Sequence, residues 1–307
     1  MNKLFLTGIV TTMGAAGMVL SGCGAAAPAS KEALIEDGLK KIAESSSLSA
    51  TIGQNSKINV VVADKSIDLN LKNNIDIEQM LPDGSSHIKG DTELSVSGFK
   101  ENSAVEMYMV EEGDNVNVYT GTKTLSDDNL TWNVYSKKKG DTTAEFDPGK
   151  ITEIINGIKN VNDKLELKEG TEQYNGSECY VISGSYTLTD LTKGNEEINK
   201  AFADGIGVLN GKNISSDILN NIKFNSDIYF DKKTHEIKGI KFDLGDSMTE
   251  VINSLIGSVS DKAAGKKTSI SMDNAVVEFK INGYNNVKDI TVPDEVKNNA
   301  EKVVNNT

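Results

Sequence analysis

The feature that most constrains this chain is the alternation of apolar and polar residues in several long runs. In one run, from 66 to 77, apolar side chains such as Ile67, Leu69 and Leu71 are separated by polar residues, and a second run from 87 to 97 repeats the pattern. A period of two places alternate side chains on opposite faces of a strand. The pattern therefore predicts long antiparallel strands with one face buried and the other in water.

A few segments have the spacing of amphipathic helices instead. The predicted helices cover residues 31–45, 148–161, 191–204 and 247–258. Ser30 is a suitable cap for the first, and Ser247 begins a capping box for the last. The strands lack the rhythm of βαβ units. We therefore predict an α+β fold, with one twisted antiparallel sheet of about ten strands and three to four amphipathic helices on one face.

The N-terminal residues have the composition of a signal peptide. Lys3 precedes an apolar run of roughly 16 residues, which is shorter than the ~20 that a membrane-spanning helix needs. The run ends in Leu20-Ser21-Gly22-Cys23, which resembles the bacterial lipobox. That resemblance implies cleavage before Cys23 and a diacylglyceryl thioether on it, and two acyl chains give stable anchoring. An ordinary signal peptide with an incidental cysteine is the alternative.

Charge and cysteine content narrow the class of protein further. The net charge is −13, and the sequence contains no arginine, which disfavours nucleic-acid binding. If Cys23 is acylated, Cys179 has no disulfide partner within the chain, and we expect it as a small apolar side chain in a strand. The expected organisation is a signal peptide (1–22), a linker (23–30), a single domain (31–296) and a polar tail (297–307). A monomer is favoured.

No motif commits the chain to a reaction. His87 and His235 are expected on a polar strand face and in a turn, both solvated, and no Cys/His spacing suits zinc. There is no Gly-x-Ser-x-Gly elbow and no phosphate loop. Ser-x-x-Lys occurs at 97–100 and 136–139, but at predicted strand ends and not at the start of a buried helix. We therefore expect no enzyme, no cofactor and no metal site.

Four short segments resemble the local motifs of known envelope lipoproteins. They are Val105 to Val110, Asn129 to Trp132, Tyr174 to Val181, and Ile290 to Pro293. With the lipobox, the opening helix and a helix inserted between strands, they resemble uncharacterised Gram-positive surface lipoproteins of the LolA-like superfamily, which includes mycobacterial LprG and LppX. The resemblance implies a curved half-barrel whose concave face is covered by helices and often encloses acyl chains. It transfers no site residue except Cys23.

Two functions remain open for a lipoprotein on the extracytoplasmic face of the bacterial cell membrane. The first is binding or carrying a hydrophobic ligand, such as a lipid or an acyl chain, in a cavity between sheet and helices. The second is a structural or interaction role in the envelope, with a filled core and no ligand. A continuous apolar void of several hundred Å³ would separate them. The expected ligand-lining residues are Leu94, Trp132, Ile155, Leu255 and Phe279.

Overall fold

The computed structural model describes residues 29–62, 65–81, 84–123, 129–138, 157–191, 223–245, 247, 249 and 268–302. Its helices are α1 (Lys31–Glu44), a 3-10 helix (Ile158–Lys164), α2 (Leu188–Leu191) and α3 (Asp294–Asn299). Its strands are β1 (Ser47–Val62), β2 (Lys65–Met80), β3 (Ser86–Val96), β4 (Phe99–Glu112), β5 (Asn115–Lys123), β6 (Thr131–Lys138), β7 (Leu165–Leu167), β8 (Glu172–Tyr174), β9 (Ser177–Thr187), β10 (Lys223–Asp231), β11 (Ile237–Asp243), β12 (Thr268–Tyr284) and β13 (Glu301–Lys302).

The strands form one sheet. Their order is β13-β6-β5-β4-β3-β2-β1-β12-β11-β10-β9-β7, and β8 pairs with β9 outside this path. The strand pairs are antiparallel except for β13 and β6, which are parallel. In the centre of the sheet, β1 and β2 have 16 residues each and β12 has 17, so these strands extend for about 55 Å.

The predicted α+β class is wrong, because the described residues form a mainly β structure with a single large open sheet. Among them, α1 is the only helix with more than seven residues. The helices predicted at 191–204 and 247–258 lie almost wholly outside the described residues, as does most of 148–161. The predicted number of about ten strands was too low partly because β8 and β13 have three residues or fewer, and a period of two is not visible over such lengths.

Register assigns the side chains of the sheet to two faces, because directly paired residues share a face. On the first face, Ile240 pairs with Phe279, Phe279 with Ile52, and Ile52 with Ile75. Helix α1 packs on this face, as predicted, with Ser30 as its N-cap accepting a hydrogen bond from the Ala33 amide at 3.2 Å.

The second face carries its own cluster at the β4–β6 end. Tyr108, Val110 and Tyr119 are buried there beneath Val292 and Val296 of the C-terminal segment. After this segment, β13 pairs with β6. Residues 294–302 are therefore held on the sheet, because Val296 provides a buried apolar contact in a stretch that otherwise looks polar.

Candidate functional site

The first face of the sheet consists of two unlike halves. We call the first the sealed half: it lies on the β9–β12 side and at the start of β1, beneath α1. Its buried side chains are Leu34, Ile35, Leu39, Ile42, Leu48, Ala50, Ile158, Val161, Leu165, Ile182, Tyr186, Leu191, Phe224, Ile228, Phe230, Ile237, Ile240, Phe279 and Ile281. Several of them, including Phe230 and Ile237, are 0% exposed. This half is a filled hydrophobic core.

Helix α1 approaches the sheet closely through a glycine. A Cβ atom on Gly38 would lie 2.8 Å from Cγ1 of Ile237 and 2.9 Å from Cε1 of Phe230. Real Cβ contacts of that length are essentially not observed, so the helix backbone itself touches the core side chains. The sealed half therefore has no space for a ligand at this point.

A row of polar side chains crosses the first face where the sealed half ends. Its members are paired in register across β1 to β4: Gln54, Asn73, Thr92 and Ser103. Nδ2 of Asn73 donates to Oε1 of Gln54 at 2.9 Å, and Nε2 of Gln54 donates to Oγ of Ser56 at 3.3 Å. Oδ1 of Asn73 is buried and has no hydrogen-bond partner among the described residues. A buried acceptor without a donor costs stability, so this row is a candidate for contact with a polar group.

Beyond the polar row lies what we call the open half, toward the β1–β2 and β3–β4 hairpin turns. Its side chains are apolar but half-exposed or exposed: Ile58, Val60, Ile67, Leu69, Leu71, Leu94 and Val96. Ile67 is 40% exposed, although the alternation predicted it to be buried. Such a continuous patch on one face is a typical signature of a binding surface.

The predicted ligand-lining residues do not come together in one place. Phe279 lies in the sealed half and Leu94 in the open half. Thr131 of β6 is on the first face, because successive paired residues connect it across β5, β4, β3 and β2 to Ile52 and Phe279. Trp132 is the next residue in β6, so it is on the second face. There it packs against the cluster beneath the C-terminal segment. Ile155, Leu255 and Cys23, the predicted site of lipid attachment, lie outside the described residues.

Two of the depressions on the second face are lined mostly by polar or charged residues. One, of about 760 Å³, includes Gly53, Asn74 and Asp91, and the other, of about 870 Å³, includes Lys168 and Asp227. Neither is the apolar void that an acyl chain requires. The first face, and not these depressions, is therefore the surface suited to a hydrophobic ligand.

His87 is the centre of a polar cluster that sequence reasoning missed. Its ring stacks on Tyr108 with centroids 4.3 Å apart, and its Nε2 lies 2.8 Å from Oε1 of Glu106. The prediction of a solvated His87 is wrong, because Tyr108 is buried beneath the C-terminal segment and covers one side of the ring. Burial alone would raise the pKa of Glu106, but hydrogen bonds from His87, Tyr108 and Lys89 lower it on balance.

Cys179 does not have the exposed, readily ionised thiol of a reactive cysteine. Cys179 is 0% exposed, and burial raises the pKa of its thiol to about 11, as expected for a structural apolar residue. His235, predicted in a turn and solvated, lies in a turn but contacts Oδ2 of Asp37 on α1 through its Nδ1 at 2.7 Å. In the described ranges, no group of three or more His, Cys, Asp or Glu side chains is arranged to hold a metal ion.

Comparisons with known proteins leave the family open. No family model and no curated protein matches the chain. Among solved structures, it is similar to a DUF1329 family protein from Desulfovibrio piger, with 10% identity, 82% of this chain and 92% of that chain covered, and a TM-score of 0.17. A likeness of that size carries no argument about fold or function. In the part of the chain that is described, no helix has the length and apolar character to cross a membrane.

Proposed function

We propose that this protein is a lipid-anchored lipoprotein on the extracytoplasmic face of the bacterial membrane that binds a hydrophobic, acyl-chain ligand. The lipobox ending at Cys23 and the resemblance to LolA-like lipoproteins support the anchor and the location. The open half of the first face supports the ligand. The proposal assigns binding without catalysis, and it involves no cofactor or metal.

The observation that carries the proposal is the half-exposed apolar surface of the long central strands. Leu71 and Leu94 are directly paired on neighbouring strands, and Leu69 and Val96 form the next pair on the same face. Each is only partly buried, so a bound chain could remove more apolar surface from water. Each CH₂ group that becomes buried contributes about 0.8 kcal/mol. A long acyl chain lying along these strands would therefore bind without any charged partner.

The polar row supports a ligand with a polar end. Gln54 and Asn73 stand at the inner border of the open half, and Oδ1 of Asn73 lacks a donor among the described residues. An acyl chain on Leu71 and Leu94 would have its polar end within this row if it entered head first. A hydroxyl or amide donor on that end would satisfy the buried oxygen.

The second candidate function is an envelope interaction protein with a filled core. The sealed half favours it, because its large side chains are fully buried and Gly38 leaves no space beneath α1. In that case the apolar open half would be covered by a protein partner or by the chain itself, and no small hydrophobic ligand would bind.

A fluorescent fatty acid separates the two functions. We expect saturable binding to the wild-type protein and at least about tenfold weaker binding to Leu71→Glu, because a charge on the apolar face must be buried by the ligand. Lys72→Glu is the matched control, since Lys72 is the next residue on the same strand but is exposed on the opposite face. Absence of fatty-acid binding in the wild type would exclude the carrier function and leave the interaction protein. For the anchor, Cys23→Ser should release the protein from the membrane fraction or leave it unprocessed.

A further inference from the structure

The two exposed large apolar side chains of the described residues are neighbours at one end of the sheet. Phe99 is 83% exposed and Ile67 is 40% exposed. Phe99 pairs with Val96, Val96 pairs with Leu69, and Ile67 follows on the same face of β2. We call Phe99 and Ile67, with the Ser97-Gly98 turn, the tip patch. It continues the open half to the very end of the strands.

The turn that carries Phe99 is narrow and projects from the sheet. Ser97 and Gly98 are its two central residues, and both have positive φ, 46° and 92°, as in the type I′ turns of tight hairpins. Ser97, Gly98 and Phe99 are all exposed, so the aromatic ring projects into solvent at the end of the hairpin. A projecting apolar ring can enter a soft surface such as the headgroup layer of a bilayer, whereas a protein partner would need a matching cleft.

Helix α1 points its N-terminus toward the end of the sheet that carries the tip patch. The helix ends at Glu44, next to the start of β1, which is the end of β1 farthest from the tip patch. At its other end, Nζ of Lys31 donates to the carbonyl oxygen of Leu165 at 2.9 Å. The paired residues of β9, β10, β11 and β12 place Leu165 level with Gln54, which is halfway along β1. The N-terminus of α1, which Cys23 precedes by eight residues, therefore lies nearer to the tip patch than its C-terminus does.

The length of that chain fits a membrane close to the domain. Cys23 precedes Ala29, which packs against the sealed half, by six residues that extend at most about 21 Å.

We propose that the tip patch docks on the lipid bilayer that holds the anchor, with Phe99 inserted among the headgroups. This inference rests on the proposed lipid anchor, and it deepens the proposed function by naming the bilayer as the source of the ligand. An acyl chain leaving the membrane at Phe99 and Ile67 would meet a continuous apolar path to Leu69, Val96 and Leu94.

A fluorescent probe beside Phe99 tests the docking. The lipidated full chain carrying Lys100→Cys, labelled with nitrobenzoxadiazole, is reconstituted into vesicles of phosphatidylcholine and phosphatidylglycerol that contain nitroxide-labelled lipid. Labelling is selective because Cys179 is buried and Cys23 is acylated. We expect the nitroxide lipid to quench the probe, and we expect the added substitution Phe99→Asp to abolish the quenching. An exposed residue such as Phe99 can be changed with little effect on folding, which a thermal unfolding curve checks.

The matched control is the same probe at Asp114→Cys. Asp114 lies in the exposed β4–β5 turn at the opposite end of the sheet, so its probe should not be quenched. Equal quenching at both positions, or none at position 100, would overturn the docking. Shielding of the probe at position 100 without vesicles would also overturn it, because the patch would then be a contact between copies of the chain.

The outcome is independent of ligand binding. Fatty-acid affinity is measured without vesicles, where Phe99→Asp should lower it far less than Leu71→Glu does, because Phe99 lies at the outer end of the open half and Leu71 lies beside the polar row. If the wild type binds fatty acid but the probe is not quenched, the carrier function stands and the docking is wrong. If the probe is quenched and fatty acid does not bind, the docking stands and the carrier function is wrong.

Discussion

The sealed half and the open half meet on β1 and present the same kinds of side chain, yet they differ in burial. On β1, Leu48 and Ala50 are 3% and 2% exposed, whereas Ile58 and Val60 on the same strand are only half-buried. Composition does not explain this, because all four residues are apolar. Among the described residues, the difference is that α1 lies over the first pair. Alternation defines which face of a strand is apolar, but a second element determines whether that face is buried.

The chain connection explains why the cover lies where it does. Helix α1 ends two residues before β1 begins, and Oγ of Ser45 donates to the carbonyl oxygen of Lys41 at 2.6 Å. So short a connection requires α1 to lie over the first part of β1 and the strands next to it. At 14 residues, or about 21 Å, the helix is far shorter than the strands. A stable core at one end and an adaptable surface at the other follow from this mismatch.

The comparison predicts its largest difference for truncations within the two halves. Phe230→Ala should lower the free energy of unfolding by about 3–5 kcal/mol, because it leaves a cavity in a fully buried cluster. Leu94→Ala should cost about 1 kcal/mol, since its side chain is only partly removed from water. Urea denaturation followed by circular dichroism measures both values. Equal costs at the two positions would mean that the open half is as well packed as the sealed half.

A glycine in α1 tests how tightly the sealed half is closed. Alanine normally stabilises a helix interior by about 1 kcal/mol relative to glycine. At Gly38 the new methyl group would instead meet Ile237 and Phe230 at less than 3.0 Å, so Gly38→Ala should be destabilising by a net amount of about 1–2 kcal/mol. The shift of the denaturation midpoint gives the sign. A stabilised variant would show that α1 can move outward and that the core has free space.

Much of the sheet could be predicted from sequence because its signals are local. The cap at Ser30, the apolar stripe of α1 and the β4–β5 hairpin around Gly113 are each encoded within a few neighbouring residues. Trp132 shows where local reasoning ends. Leu130, Trp132 and Val134 alternate with polar residues in the sequence, but which side of the sheet they join depends on every register between β6 and β12. An apolar set on β6 can therefore belong to either face.

The polar row and the C-terminal segment escaped prediction for a related reason. Asn73 interrupts an otherwise apolar set on β2, and only its pairing with Gln54 and Thr92 turns one exception into a row across the face. Residues 290–302 look polar apart from scattered valines. The role of Val292 and Val296 becomes clear only from their packing on Tyr108 and Tyr119. Both features arise from contacts between residues far apart in sequence, and no periodicity records them.

The smallest expected effect concerns an ion pair at the edge of the sealed half. The ammonium of Lys164, 2.5 Å from the Asp190 carboxylate, and the Thr187 amide lower the pKa of Asp190 to about 2, from an ordinary 3.8. A lowered pKa in the folded state contributes stability above the ordinary value, and that contribution is lost as pH falls through about 2. Because the carboxylate is partly in contact with water, Asp190→Asn should cost less than about 1 kcal/mol at pH 7. The difference in urea midpoint between the variant and the wild type should therefore disappear between pH 4 and pH 2.

Glu93→Gln is the control at the open end. The contacts of Glu93 with Lys72 and Lys100 are solvent-exposed, at 4.0 and 3.3 Å, so the midpoint of this variant should stay close to that of the wild type. A cost for Asp190→Asn that stays constant down to pH 2 would show that the carboxylate acts through shape or hydrogen bonding alone, and not through its charge.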